Sequence, residues 1–263
     1  RITEQLLPLL PFTPTSAQQR VIAEITADQG TPDRMLRLLQ GDVGSGKTFV
    51  ALMAILNALE AGAQAALLAP TEILARQHYQ ELSKLLKPLG LTPVLLSGST
   101  KQKARQDILQ GLADGSCQIA IGTHALLADE VRFADLALAV VDEQHRFGVR
   151  QRLVLGQKGK NCDVLVMTAT PIPRTLAMTA YGDLTVSRLD EKPAGRQDIE
   201  TALISQDRLA DVTARLAAAI ANGQRAYWIC PLVEETEKLD AAAAEERHRA
   251  LSAVLPNANP VLA

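Results

Sequence analysis

Short apolar runs alternate along this chain with longer stretches in which apolar residues recur at helical spacing. The apolar runs are continuous, whereas a strand with one solvated face would alternate apolar and polar residues. Continuous runs are typical of parallel strands that are covered by helices on both faces. We therefore predict six buried strands, at Leu36–Leu39, Ala65–Ala69, Val94–Leu96, Ile119–Ile121, Leu136–Val141 and Val164–Met167.

Helical periodicity fills the intervals between these runs. In the stretch Thr48–Ala61 several apolar residues fall on one helical face, and Gly62 follows as a residue suited to end a helix. The same spacing predicts helices at Thr71–Lys87 and Lys101–Leu112. Strands that alternate with helices in this way indicate an α/β fold with a doubly wound, mainly parallel sheet.

The pattern breaks at Asp190–Arg196 and then restarts. Pro193 and Gly195 lie among charges there, so we interpret residues 191–197 as an interdomain linker. Few strands follow, too few for a stable doubly wound sheet, so we expect that a second domain over 198–263 is incomplete in this chain, which also begins without Met. Its predicted elements are two strands, at Ile199–Ser205 and Ala226–Cys230, and two helices, at Arg208–Ala221 and Glu234–Leu255, while Pro260–Leu262 could begin another strand.

Length, charge and cysteine usage narrow the classes of function. The 263 residues exceed the usual size of one domain. The formal net charge of -2 gives no global signal for nucleic acid, so any such site must be a local patch. Cys117, Cys162 and Cys230 form no CxxC pair, which argues against a zinc site or disulfide framework and favours core residues in a reducing compartment. No apolar run is long enough to cross a bilayer, and the N-terminus has no signal-peptide pattern.

The segment GDVGSGKT carries the strongest chemical signal. It fits the pattern GxxxxGK[ST], in which glycines let successive backbone N–H groups point at phosphate oxygens. Lys47 can neutralise the β- and γ-phosphates, and the Thr48 hydroxyl can ligate Mg²⁺. A predicted strand precedes it and a helix follows, which favours a nucleotide site over an ordinary Gly-rich turn. The predicted nucleotide-binding residues of this loop are Gly41, Asp42, Val43, Gly44, Ser45, Gly46, Lys47 and Thr48.

Two acidic residues, Asp142 and Glu143, directly follow the predicted strand Leu136–Val141. Ligands bind at the carboxyl edge of a parallel sheet, so catalytic acids would emerge at this point. We predict that Asp142 holds Mg²⁺ and that Glu143 orients and deprotonates water. A lone Asp-Glu pair after a strand is usually a solvated turn, but the phosphate-binding loop upstream favours the functional interpretation.

Thr168, Ala169 and Thr170 follow another predicted strand in the same way. Their two hydroxyls suit hydrogen bonding near the γ-phosphate or to the two acids. The alternative interpretation is a helix cap, although Pro171 argues against a helix that begins at once.

Two local clusters of basic residues could face nucleic acid. The first lies in a stretch without acidic residues and comprises Arg146, Arg150, Arg152, Lys158 and Lys160. The second is weaker and comprises Lys101, Lys103 and Arg105. Spacing alone leaves open whether these residues contact phosphates or form solvated faces.

The order of these motifs resembles the motor of superfamily-2 helicases, and specifically the RecG family of DNA-repair helicases. DEQHRFGVRQR and MTATPIPRTLA are the most specific segments, while Pro14 stands where the first motif more usually has Leu. The resemblance covers nearly the whole chain. The matching segments are Phe12–Gln18, Gly41–Thr48, Ala69–His78, Gly122–Leu127, Asp142–Val149 and Met167–Thr175.

The resemblance implies a RecA-like P-loop NTPase domain over residues 12–190, preceded by a connecting tail over 1–11 and followed by the start of a second RecA-like domain. It implies that Gln18 reads adenine, and that Lys47 and Glu143 act in the hydrolysis of ATP with Mg²⁺. Gln144, His145 and Thr168–Thr170 would sense the γ-phosphate and relay its state. The residues that would contact DNA phosphates are Thr71, Arg76, Thr123, His124, Arg150 and Arg152.

The same resemblance implies ATP-driven remodelling of branched double-stranded DNA, namely stalled forks and Holliday junctions. It implies a monomer in the bacterial cytoplasm, near the nucleoid, with single-strand-binding protein as a partner. The arginine fingers of such a motor fall outside this chain, so we expect that it binds ATP but hydrolyses it slowly. Two alternatives stay open. An Mfd-type translocase usually carries DEEQRFGV where this chain has DEQHRFGV, and a nucleotide-binding interaction module would have no role for Glu143.

Overall fold

A computed structural model describes residues 1–142, 158–159, 161–170, 184–191, 200–229 and 237–254 of the chain. The chain divides into two compact units, Arg1–Arg196 and Gln197–Ala263.

A seven-stranded sheet forms the centre of the first unit, and all the strand pairs in it are parallel. The spatial order is β3-β4-β2-β5-β6-β1-β7. The predicted α/β fold is therefore confirmed, and all six predicted strands are present within two residues of their predicted bounds. The strands are β1 Leu36–Gly41, β2 Gln64–Leu68, β3 Val94–Leu96, β4 Ile119–Gly122, β5 Leu136–Val141, β6 Asp163–Thr168 and β7 Thr185–Leu189.

Alternate residues of the central strands enter two separate apolar clusters, one on each face of the sheet. In β5, for example, Leu138 and Val140 belong to one cluster, while Ala139 and Val141 belong to the other. Both faces are thus dry, which explains why the apolar runs in the sequence are continuous. Cys162 is buried in the second cluster, and this burial raises the pKa of its thiol to about 12, as suits an inert core residue.

Five helices accompany the sheet in the described part of this unit: α1 Ile2–Leu6, α2 Ser16–Gln29, α3 Lys47–Glu60, α4 Glu72–Leu86 and α5 Gln102–Asp114. Short 3₁₀ turns lie at Leu7–Leu9, Lys87–Leu89 and His124–Leu127. Helix α3 is buried over most of its length rather than on one face, because it packs between α1, α2 and the sheet. It ends as predicted at Gly62, whose φ of 81° lets Ala63 N–H donate to Ala58 O at 3.1 Å.

The sequence pattern missed β7, the edge strand of the sheet. Its polar Ser187 and Arg188 interrupt the apolar pattern. Arg37 of β1 explains the polarity of Ser187, because its buried guanidinium contacts Ser187 and donates to Asp28 at 2.7 Å and to Glu24 at 3.1 Å. Both acids lie on α2, so this charged network fixes α2 against β1 and β7.

Among its described residues, the second unit contains a 3₁₀ turn at Gln206–Arg208 and two helices, α6 Leu209–Ala221 and α7 Glu237–Val254. Both helices were predicted, but the strands predicted at Ile199–Ser205 and Ala226–Cys230 are wrong for the described residues 200–205 and 226–229, which have no regular structure. Leu203, Tyr227 and Ile229 are almost fully exposed there. A strand needs a neighbour to pair its backbone groups, and a local apolar pattern does not provide one. Ile199, Cys230 and the segment Pro260–Leu262 lie outside the described residues.

Candidate nucleotide site and nucleic-acid interface

The predicted phosphate-binding loop connects β1 to the N-terminus of α3. Gly44 and Gly46 have φ angles of 76° and 86°, in the left-handed region that favours glycine. Gly46 is the N-cap residue of α3, and a Cβ on it would overlap Gln18 Nε2. The loop therefore has the backbone that an anion cradle at a helix N-terminus requires.

Gln18 lies directly against this loop and is almost fully buried. Its Nε2 donates to Ser45 O at 2.8 Å, and its Oε1 accepts from Thr15 N at 3.0 Å, within the capping box that begins α2. The side chain thus couples the start of α2 to the shape of the loop. Its expected role in reading adenine stays a prediction, while the contact with the loop is an additional role that the sequence did not indicate.

Lys47 bends back over its own loop. Its Nζ donates to Gly41 O at 2.7 Å and to Asp42 O at 3.0 Å. Asp42 Oδ1 in turn accepts from Val43 N at 2.8 Å, and Val43 is 69% exposed. The ammonium group is thereby held at the mouth of the cradle, beside half-buried Thr48 in the first turn of α3.

Asp142 emerges from the carboxyl end of β5, as predicted, and is buried. Its backbone N–H donates to Leu68 O at 2.9 Å. Its Oδ2 lies 2.6 Å from Nε2 of His78, a buried residue of α4. Glu143, Gln144 and His145 lie outside the described residues, so their predicted catalytic roles stay predictions.

The strand order brings three of the predicted segments to one stretch of the sheet edge. β6 lies between β1 and β5, so Gly41, Asp142 and Thr168 follow or end neighbouring strands. Thr168 is fully buried, its Oγ1 lies 3.1 Å from Thr170 Oγ1 and accepts from Thr170 N at 3.2 Å. Ala169 connects these two residues. The two hydroxyls therefore contact each other at the end of β6, and the choice between a site role and a helix cap stays a prediction.

The residues of this edge fit a magnesium ion that shares its coordination with phosphates and water. Within the described residues, no group of three or more His, Cys, Asp or Glu side chains could hold a metal ion alone. Mg²⁺ bound with nucleotides needs only one or two protein oxygens, because phosphates and water complete its octahedron. A buried carboxylate at Asp142 and a hydroxyl at Thr48 are oxygens of that kind.

The described residues that are expected to contact DNA follow β2 and β4, whose ends lie in the other half of the same edge. Thr71 caps α4 by accepting from Leu74 N at 3.3 Å. Arg76 donates to Glu72 at 2.6 Å and to Ser99 at 3.0 Å. A hydrogen bond from Ser99 and the pairing with Arg76 lower the pKa of Glu72, so this carboxylate is charged near neutral pH.

Thr123 and His124 follow β4. Thr123 is buried, and its N–H donates to Leu96 O at 3.3 Å, whereas His124 is exposed. His124 and Arg76 are therefore accessible to a ligand, while Thr123 has a structural position behind them. Arg150 and Arg152 lie outside the described residues.

Two of the basic residues have structural partners. Lys158 donates from Nζ to Ala128 O and to Val131 O, both at 2.8 Å, and its partial burial lowers its pKa. Arg105 pairs with Glu130. Neither side chain is thus a free phosphate ligand or a simple solvated charge. The remaining members of the first cluster, Arg146, Arg150, Arg152 and Lys160, lie outside the described residues.

Comparison with known proteins shows which family this chain belongs to. The sequence pattern of the DEAD/DEAH box helicases matches residues 15–179, which is more than half of the chain. The chain belongs to the DEAD/DEAH box helicase family. Within this helicase family it is similar to the ATP-dependent DNA helicase RecG of Pasteurella multocida, with 52% identity over 261 residues, and of Bacillus subtilis, with 52% identity over 243 residues.

These alignments cover 97% and 92% of this helicase-family chain, but the chain spans only 38% and 36% of the two relatives. A solved structure of RecG bound to a three-way DNA junction has 40% identity and a TM-score of 0.81, and the match covers 96% of this chain and 33% of that one. The DEAD-box helicase Mss116, bound to ssRNA, has 20% identity and a TM-score of 0.65, over 85% of this chain and 50% of that one. This second match supports the RecA-like fold alone. The predicted resemblance to RecG is confirmed.

His78 is the residue of this helicase domain that sequence reasoning missed. It ends the segment Ala69–His78 that resembles a family motif, but no role was predicted for it. It falls on the buried face of α4 with Ala75, Leu82 and Leu86. A histidine on an otherwise apolar helical face was the available signal.

In the described part of the chain, no helix combines the length and the apolar character needed to cross a membrane.

Proposed function

We propose that this chain is the ATP-binding half of a DNA motor of the RecG type. One observation carries the proposal: adjacent strands β1, β6 and β5 bring the glycine cradle, Thr168 and buried Asp142 to one stretch of the carboxyl edge. The described candidates for DNA contact follow β2 and β4, in the other half of that edge. Hydrolysis and DNA contact would then be functions of one rigid sheet.

The proposed domain organisation follows the sequence prediction. Residues 12–190 form the ATP-binding RecA-like domain, residues 1–11 the tail of an upstream connection, and residues 191–197 a linker. Residues 198–263 are the start of a second RecA-like domain. The division of the chain at Arg196 supports this boundary.

Nucleotide binding follows from the geometry of the loop. Phosphates would lie at the N-terminus of α3, where the first backbone N–H groups of the helix and its dipole favour negative charge. Lys47 would exchange its bonds to Gly41 O and Asp42 O for bonds to phosphate oxygens. Gln18 keeps the loop in shape and, by the resemblance, reads adenine. The proposed magnesium ligands are Thr48 and Asp142, and the ion would supply charge neutralisation at the phosphates.

Turnover requires groups beyond this cradle. Glu143 would orient water for attack and accept its proton, and Gln144, His145 and Thr168–Thr170 would sense the γ-phosphate. An arginine from a second motor domain typically contributes about 10³–10⁵ in rate in related phosphoryl-transfer sites. We therefore propose that this chain binds ATP and hydrolyses it slowly.

DNA binding would use phosphate contacts and be independent of sequence and sensitive to salt. Arg76 and His124 are the accessible candidates in the described residues, with Thr71, Thr123, Arg150 and Arg152 as further candidates. The similar RecG structure is bound to a three-way junction, which supports branched DNA as the substrate of the whole protein. A monomeric state and an interaction with single-strand-binding protein rest on family resemblance alone.

Two alternatives compete with this proposal. An Mfd-type translocase would displace RNA polymerase instead of regressing forks, and Gln144-His145 in the sequence favours the RecG type. A nucleotide-binding module without turnover would show no hydrolysis even when the chain is extended through the second domain. Fork regression and polymerase displacement by the longer protein distinguish the first alternative.

Lys47→Ala tests the nucleotide site directly. The variant loses the only charge of the loop that is placed to bind β- and γ-phosphates, so we expect that binding of a fluorescent ATP analogue is abolished. The matched control is Lys84→Ala, which removes an exposed lysine of α4 and should bind as the unaltered chain does. Unchanged binding by Lys47→Ala would defeat the site assignment.

A further inference from the structure

His78 connects helix α4 to the proposed magnesium ligand. It lies on the buried face of α4 and is 7% exposed. Its Nε2 is 2.6 Å from Asp142 Oδ2, although the two residues are 64 positions apart in the chain. The contact is thus a tertiary one, built by the packing of α4 against the sheet.

The direction of this hydrogen bond follows from the chemistry of the two groups. An ionised carboxylate oxygen can only accept, so Nε2 must carry the hydrogen and donate it. Asp142 is then held at two points, because its backbone N–H is also bonded to Leu68 O. The imidazole restrains the carboxylate through Oδ2, and Oδ1 is the oxygen that His78 leaves to another ligand.

A packing role alone does not explain a histidine here. Within the described residues, His78 Nδ1 is buried and has no hydrogen-bond partner. Its neighbours on the same face, Ala75, Leu82 and Leu86, are apolar. An apolar side chain would fill this place without the cost of burying an unpaired polar nitrogen. A need for the Nε2 donor at Asp142 would explain why a histidine is present despite the cost of burying Nδ1.

We propose that His78 is a positioning residue, which orients Asp142 for the magnesium ion of the nucleotide site. This inference rests on the proposed function, because it assumes that Asp142 binds the ion. Mg²⁺ tolerates little distortion of its octahedral geometry, so a ligand of fixed orientation binds it better than one that must be ordered on binding. Partners that orient metal ligands typically contribute about 10- to 100-fold in metal affinity or activity.

The test uses three variants of the full chain. His78→Gln places an amide nitrogen near the position of Nε2 and retains the donor. His78→Asn has the same polarity but is too short to reach Asp142, and His78→Leu removes the polar atoms. Asp142→Asn is the reference for a lost magnesium ligand.

The measurement is the affinity for a fluorescent, non-hydrolysable ATP analogue, in saturating Mg²⁺ and in EDTA, with the melting temperature of each variant. We expect that the gain in affinity from Mg²⁺ falls about tenfold in His78→Asn and His78→Leu and recovers in His78→Gln. The affinity in EDTA should be the same in all three.

Three results would overturn the inference. One is an unaltered Mg²⁺-dependent gain in folded His78→Asn. Another is an equal loss of affinity in Mg²⁺ and in EDTA, as a purely structural residue would give. The third is a His78→Gln variant that behaves as His78→Asn. If the unaltered chain itself gains nothing from Mg²⁺, the proposed magnesium site fails first, and the inference fails with it.

Discussion

Replacing Gly46 by alanine tests how the phosphate-binding loop is held in shape. Gly46 has a φ of 86°, and a left-handed conformation costs a residue with a Cβ about 1–2 kcal/mol. A Cβ here would also overlap Gln18 Nε2. The Gln18 side chain would have to move away, and its bonds to Ser45 O and Thr15 N would be lost.

Gly62, at the other end of α3, is the matched control. Its φ is 81°, and an added Cβ would meet no described atom within 4 Å. Gly62→Ala therefore carries the backbone cost alone, about 1 kcal/mol once the lower entropy of the unfolded chain is included. Gly46→Ala carries the same cost and loses two hydrogen bonds, each worth about 1 kcal/mol, so we expect a loss of about 3 kcal/mol.

Urea denaturation followed by far-UV circular dichroism gives the free energy of unfolding of both variants, and titration with a fluorescent ATP analogue gives their affinity. Gly46→Ala should lose more stability than Gly62→Ala, and only Gly46→Ala should lose affinity. In a Gln18→Ala background the overlap is absent, so the difference in stability should shrink. Equal losses of stability in the two glycine variants would refute the reasoning.

Two further predictions concern charged groups. Arg37→Ala leaves Glu24 and Asp28 without their buried partner, so we expect the free energy of unfolding, measured in urea, to fall by about 2–4 kcal/mol. Arg20→Ala is the control, because the ion pairs of Arg20 are exposed and their loss should cost less than about 1 kcal/mol. Similar losses in the two variants would contradict a stabilising role of the buried network. Glu72→Gln removes the charge that holds Arg76 and should tighten binding to forked DNA about two- to fivefold at low salt by fluorescence anisotropy. Glu81→Gln on the same helix is the control, and equal affinities of the two variants would argue against DNA contact at Arg76.

The sequence predicted the sheet well because its interior strands are dry on both faces. Leu136–Val141 is continuous in the sequence for this reason, and its bounds agree with those of β5. Edge strand β7 could not be found in the same way, since polar residues interrupt it and one of them, Ser187, contacts the buried charge of Arg37. The strands predicted in the second unit were wrong for a different reason. Apolar residues such as Tyr227 and Ile229 give the local pattern of a strand, but a strand also needs a neighbouring strand to pair with, and a local pattern does not contain that information.

The candidate site, like the fold, could be predicted from the sequence only in part. The loop Gly41–Thr48 and the acid Asp142 were predictable, because each is defined by residues adjacent in sequence and by the strand that precedes it. The contacts of Gln18 with the loop and of His78 with Asp142 form only when distant segments pack together. Lys158 shows the converse, since a basic residue that resembled a phosphate ligand donates to the carbonyls of Ala128 and Val131.

Whether this chain is the ATP-binding half of a DNA motor is tested most directly by the rate of ATP hydrolysis. The rate is measured with and without forked DNA, for this chain and for the chain extended through its second domain. We predict slow hydrolysis with little DNA dependence for this chain, strong stimulation by forked DNA for the extended chain, and no turnover when either carries Lys47→Ala. An extended chain whose hydrolysis ignores DNA, or a short chain that responds to DNA as strongly as the extended one, would contradict the claim.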